Sequence, residues 1–219
     1  MANKSSVFDM IGPIMIGPSS SHTAGVVRIA RAAIRVLGGI PDEAVITFFN
    51  SFARTYEGHG SDRAILGGLM DFKTDDARIK DALELAKDKP LQYTFKSIGN
   101  SSVHHPNTIK LLLKKGDRQV EIFGESLGGG VINISEIDGF VANFSAQNHT
   151  LIIKAEDVSG AIAFISSIGS AGSNLAAGNW RAIHTCIARF SVSGSLSMMS
   201  TGTLCLGFSF RNSGFFKSP

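Results

Sequence analysis

The sequence predicts an α+β chain: a layered α/β sheet domain over residues 1–146, followed by a smaller ferredoxin-like unit over 147–219. Three observations predict it. Helical spacing of apolar residues dominates the stretch before Pro90, strand-like alternation replaces it after Pro90, and a strand, tight turn, helix and second strand begin near His149.

The elements follow in order. From Ala24 to Leu37, Val26, Val27, Ala30, Ala33, Ile34 and Leu37 fall on one helical face and Arg28, Arg31 and Arg35 on the other. Gly38 and Gly39 then supply a stop. "EAVITFFNSF", Glu43 to Phe52, is β-branched and aromatic and reads as a strand. "SDRAILGGLMDF" opens with the cap-like pair Ser61-Asp62 and reads as a second helix, loosened by Gly67 and Gly68. Asp75 to Pro90 reads as a third amphipathic helix with acids early and proline at its end. "LQYTFKSIG" alternates as a strand, "HHPNT" is a loop, and Thr108 to Ser126 reads as a hairpin turning at Lys115-Gly116-Asp117. The triplet Gly128 to Gly130 interrupts before "VINISEI". A polar seam at Ser145 to Asn148 separates the two units.

Composition narrows the class. With 43% hydrophobic residues in 219, the chain has enough apolar side chains for a buried core. Its longest apolar runs, such as Ala64 to Met70, fall far short of the roughly 20 residues that span a bilayer. The start, "MANKSSVFDMIGPIMIG", has an early acid and no continuous apolar region, unlike a secretory signal. A cytoplasmic protein without a membrane partner is expected. Net charge is +3 with dispersed basic residues, which argues against a nucleic-acid partner. The two cysteines, Cys186 and Cys205, read as ordinary small hydrophobes.

The chemistry gathers at helix entrances. "GPSSSHTAG" places Ser19, Ser20, Ser21, His22 and Thr23 where a helix begins, and such an end carries about four unpartnered N–H groups and roughly half a positive charge. Ser21 or Thr23 serves as the cap, and the surplus hydroxyls with His22 are free to line a pocket for a carboxylate or phosphate. Taken alone, the run also reads as a solvated loop with one cap. A second segment of similar design shifts the balance: "GHGSDRAI" sets His59 between Gly58 and Gly60, just before Ser61, Asp62 and another helix. "HPNT" adds a third polar loop with Asn107 and Thr108.

Together, "SVFDMIGPIMIGPSSSHTAGVVRIARAA", "GHGSDRAI", "HPNT" and "SLGGGVI" resemble the iron–sulfur-dependent L-serine dehydratase (L-serine ammonia-lyase) family, specifically its separate beta subunit, over roughly residues 5 to 175. The resemblance implies a first domain of the allosteric-substrate-binding type and an ACT domain after it. It implies conversion of L-serine to pyruvate and ammonia, with a [4Fe-4S] cluster on an alpha subunit as partner and further oligomerisation. A cluster of that kind takes about four thiolates, so a chain with two cysteines is expected to ligate no metal itself. Carried over by position, Ser19, Ser20, Ser21 and Thr23 face the substrate, with Gly60, Ser61, Asp62, Asn107 and Thr108 as further pocket members. His22 and His59 are the expected catalytic side chains, because imidazole titrates near neutral pH. Which of them is the base stays open, as does a base on the alpha subunit. A non-catalytic module that binds a small amino acid or carboxylate is the alternative.

The tail departs from the resemblance. No Asp or Glu occurs between residues 158 and 219, where average composition predicts roughly seven or eight. A chain read out of frame from about Ala177 would have this composition, leaving the ACT domain incomplete; a genuine divergent end is the other reading.

Overall fold

A computed structural model describes residues 20–99, 105–146, 149–156, 193–198 and 203–210, and divides the chain between Ala146 and Gln147 into two units. The first unit is built on a six-stranded mixed sheet. Its strands are β1 (Glu43–Phe49), β2 (Gln92–Ile98), β3 (Thr108–Lys115), β4 (Arg118–Gly128), β5 (Val131–Ile137) and β6 (Phe140–Phe144), in the spatial order β2-β1-β3-β4-β5-β6. β1 and β2 pair in parallel, because the chain between them crosses over through the helices α2 (Asn50–Thr55), α3 (Ser61–Leu69) and α4 (Ala82–Lys87). Every other pairing in this sheet is antiparallel.

Helix α1 (Ser20–Leu37) covers the middle of one sheet face. The apolar face expected for it is buried, and Ile29 is buried with it. Opposite it on the sheet lie Ile46, Phe48, Ile109, Leu111, Leu113, Ile122 and Ile132, all inaccessible to water. Burial of such side chains stabilises by about 1.5–3 kcal/mol each. Two glycines let α1 approach closely. A Cβ on Gly124 of β4 would come within 2.5 Å of Ile29 Cγ2, and one on Gly68 of α3 would meet Ala30 Cβ at 2.6 Å and Val27 O at 2.7 Å. The helix ends as expected: the amides of Gly38 and Gly39 donate to Ile34 O at 3.0 and 2.8 Å, with both glycines at positive φ.

Four local expectations are corrected. The strand from Glu43 stops at Phe49 rather than Phe52, because Asn50 takes φ +52 and the Ser51 amide turns to donate to Pro106 O at 2.9 Å, starting α2. Ser61-Asp62 is the first turn of α3 and not its cap; the cap position is Gly60, left-handed at φ 70, without a side-chain bond. The helix expected over Asp75–Pro90 splits into a 3-10 turn, Ala77–Asp81, and α4. Asp76 caps that turn by accepting from Arg78 N, and Ile79, Ala82 and Ala86 are the side chains it and α4 bury. Finally, β6 was not foreseen, although Asp138-Gly139, at φ 49 and 83, is the two-residue turn that pairs Ile137 with Phe140. The hairpin turn at Gly116-Asp117 and the β5 strand stand as expected.

The second unit contributes β7 (His149–Glu156), β8 (Ser193–Met198) and β9 (Thr203–Phe210). β9 lies between the other two and is antiparallel to both. The helix expected after β7 lies outside the described residues, as does the segment around Ala177.

Candidate active site

The carboxyl end of β1, the amino ends of α1 and α3, the end of β4 and the loop before β3 meet at one edge of the first unit. Short polar contacts tie them. Thr23 in the first turns of α1 is buried, and its hydroxyl donates to the His59 carbonyl at 3.2 Å, joining the two helix entrances. It therefore does not cap its own helix. One residue earlier, His22 Nδ1 lies 3.1 Å from Ser126 Oγ near the end of β4. The Ser126 amide donates to Asn107 O at 3.0 Å, bringing in the loop.

That loop is self-braced. Thr108 Oγ1 donates to His105 O at 2.8 Å, the Asn107 amide donates to His105 Nδ1 at 3.2 Å, and Asn50 Nδ2 donates to His105 O at 3.4 Å. Phe52, the buried side chain of α2, sets its ring edge-on to His22, with centroids 5.8 Å apart and planes at 87°. Burial, then the neighbouring imidazoles of His105 and His59, hold the His22 pKa below its usual value. His22 is thus a half-buried ring whose charged form is disfavoured by burial and by two other imidazoles nearby.

Each expected site residue has a definite place. His22, Thr23, Asn107 and Thr108 join the cluster directly, and His59 joins through its carbonyl while lying exposed at the α3 entrance. Gly60 and Ser61 are buried beside it, and the Ser61 amide donates to Tyr56 O at 2.8 Å. Asp62 Oδ1 accepts from the Arg63 amide on its own helix at 2.8 Å, and no described bond carries it into the cluster. Ser20 and Ser21 are the first residues of α1, and Ser19 lies outside the described residues. Among the described residues no three His, Cys, Asp or Glu side chains converge as a metal site.

This arrangement provides donors and a positive helix end for an anion, and imidazoles to hold or move a proton beside it. A family model described as serine dehydratase beta chain matches residues 6–136, which include every element of the cluster. The chain belongs to that family. Among its relatives, the probable L-serine dehydratase beta chain of Bacillus subtilis is 44% identical over 163 residues, 74% of each chain. The L-serine dehydratase beta chain of Peptoniphilus asaccharolyticus is 38% identical over 164 residues, again 74% of each. The L-serine dehydratase of Helicobacter pylori is 33% identical over 156 residues, covering 58% of this chain and 34% of that longer one.

Sequence reasoning missed Ser126, His105, Asn50 and Phe52 as members of the cluster. The signal for Ser126 was its place ahead of the glycine triplet, but 104 residues separate it from His22. A second link at the same edge is the bond from Arg28 Nη1 to Gly130 O, 2.6 Å long, which holds the β4–β5 turn against α1.

Proposed function

We propose that the chain is the beta subunit of an L-serine ammonia-lyase that acts with an alpha partner to convert L-serine to pyruvate and ammonia. The observation that carries this reading is the identity of 44% and 38% to two beta chains named for L-serine dehydratase, together with a family match over residues 6–136 that takes in the cluster. The α1 entrance binds the carboxylate of serine through Ser20, Ser21 and the helix N–H groups. His22 and His59 orient the substrate or handle the proton that leaves Cα; Gly60, Ser61, Asp62, Asn107 and Thr108 shape the surrounding wall. Loss of the Cα proton and of the hydroxyl as water leaves aminoacrylate, which hydrolyses to pyruvate and ammonia.

The [4Fe-4S] cluster belongs to the alpha subunit in this proposal. The described residues of this chain do not fit it, for want of a ligand set, and no step assigned to them passes through it. The active form is then a hetero-oligomer, placed in the cytoplasm. Among the described residues no helix is long and apolar enough to cross a membrane. For the second unit, an ACT-like role is supported by β7 and β8 flanking a strand antiparallel to both, the arrangement of a split βαβ unit.

The test is coexpression with an alpha partner, anaerobic cluster reconstitution and a pyruvate assay. Wild-type chain should support turnover of L-serine, and the His22→Ala/His59→Ala double variant should lose about 10²–10⁴-fold. Full activity in that variant would remove both imidazoles from the reaction.

A further inference from the structure

The surroundings of His22 decide which of its nitrogens carries the proton. Ser126 is fully buried, and among the described residues its Oγ has the Nδ1 of His22 as its hydrogen-bond partner. Two arrangements fit 3.1 Å: the hydroxyl donates to a bare Nδ1, or an Nδ1–H donates to the hydroxyl oxygen. In the second, the hydroxyl hydrogen faces no described acceptor in a buried place, which folded proteins avoid. Among the described residues no buried side-chain nitrogen or oxygen is left without a partner. Among the described residues, only the first arrangement gives the hydroxyl hydrogen an acceptor.

The backbone is shaped around the same bond. Gly25 follows His22 by three residues, on the same side of α1, and a Cβ there would fall onto Ser126 Oγ. Glycine at 25 therefore leaves room for the hydroxyl to face the imidazole, while the edge of Phe52 fixes the plane of the ring. Among the described residues, the titratable groups that act on His22 are His105, from the loop before β3, and His59, from the α3 entrance. Neither supplies a carboxylate that would draw a proton to Nδ1.

We infer that Ser126 is a positioning residue that holds neutral His22 as the Nε2–H tautomer, so that His22 offers a hydrogen-bond donor to the anionic group of the ligand and is not the resting base. The identity of that ligand rests on the reading above; the tautomer does not. Removal of the Cα proton then falls to His59 or to the alpha subunit, with His22 as the anchor.

The full chain labelled with ¹⁵N-histidine tests this by long-range ¹H–¹⁵N correlation at about pH 8, where the lowered pKa of His22 keeps its ring neutral. His22 is assigned by its loss in His22→Gln. The expected pattern is a bare Nδ1 and a protonated Nε2. In Ser126→Ala the ratio of the two tautomers should move toward the Nδ1–H form by about five- to tenfold, the effect of one neutral hydrogen bond. With the alpha partner, the same variant should raise KM for L-serine about tenfold and change kcat by less than about threefold. An Nδ1–H ring in the wild-type chain overturns the inference without any variant, as does an unchanged ratio in folded Ser126→Ala or a fall in kcat at constant KM. An Nε2–H ring in a complex that turns over no serine would fault the proposed reaction and leave this assignment standing.

Discussion

The two helix entrances share a vocabulary and differ in use. At α1, His22 is half-buried, edge-on to Phe52 and bonded to Ser126. At α3, His59 is exposed ahead of a left-handed Gly60, and the described bonds hold it by its backbone, the amide donating to Thr55 O at 3.0 Å and the carbonyl accepting from Thr23. One imidazole is fixed and the other is presented. The residue types near each helix are alike; the difference comes from what the sheet sets opposite them. β4 brings a buried hydroxyl to the first entrance, and nothing described brings an equivalent to the second. An anchor needs a fixed donor, whereas a group that meets a partner subunit or moves a proton benefits from reach.

The largest test of this contrast strikes the close packing of α1 on α3 beyond their entrances. Gly68→Ala sets a methyl against Ala30 Cβ and the Val27 carbonyl, forcing α3 away from α1. It should cost about 1–3 kcal/mol in urea denaturation. A loss below about 0.5 kcal/mol would show that the close helix approach adds little to the packing of the unit. Next, the single histidine variants should separate. His22→Ala loses the Phe52 contact and the Ser126 bond, about 1–2 kcal/mol together, and His59→Ala should stay within about 0.5 kcal/mol. Equal losses in melting experiments would erase the distinction between fixed and presented rings.

The smallest effect is in pH. The folded chain holds the His22 pKa below the value of 6.5 for the free side chain, chiefly through burial. As pH falls, the unfolded chain therefore binds that proton first. The stability associated with His22 is complete above about pH 6.5 and is lost as pH falls from there toward the folded value. Melting temperature should decline over that window, and His22→Gln should flatten the decline. An undiminished slope in the variant would assign it to other groups.

Much of the first unit was legible because its signals are local. Apolar spacing marks α1, paired glycines mark its end, and Gly116-Asp117 marks the β3–β4 turn. The readings that failed depended on distant partners. Nothing near Asn50 in sequence announces that Pro106 will accept from Ser51 and end β1 at Phe49. The split of the third helix follows from the need to bury Ile79 at the foot of α3, which periodicity alone does not register. In the site, His22 and His59 were legible as residue types placed at helix starts. Ser126 was not, because a serine before a glycine triplet has no meaning until the sheet lays it against α1. The acid-free tail was legible only as composition, and the gene sequence around the codons for Asn174 to Trp180 distinguishes a shifted frame from a divergent end.

The separation of 104 residues between His22 and Ser126 also sets an order of events during synthesis. The first helix leaves the ribosome early, but its entrance stays unfinished until the fourth strand has emerged, and closing so long a loop is slow compared with forming the local turns between. The entrance is therefore complete only in chains whose sheet is already assembled.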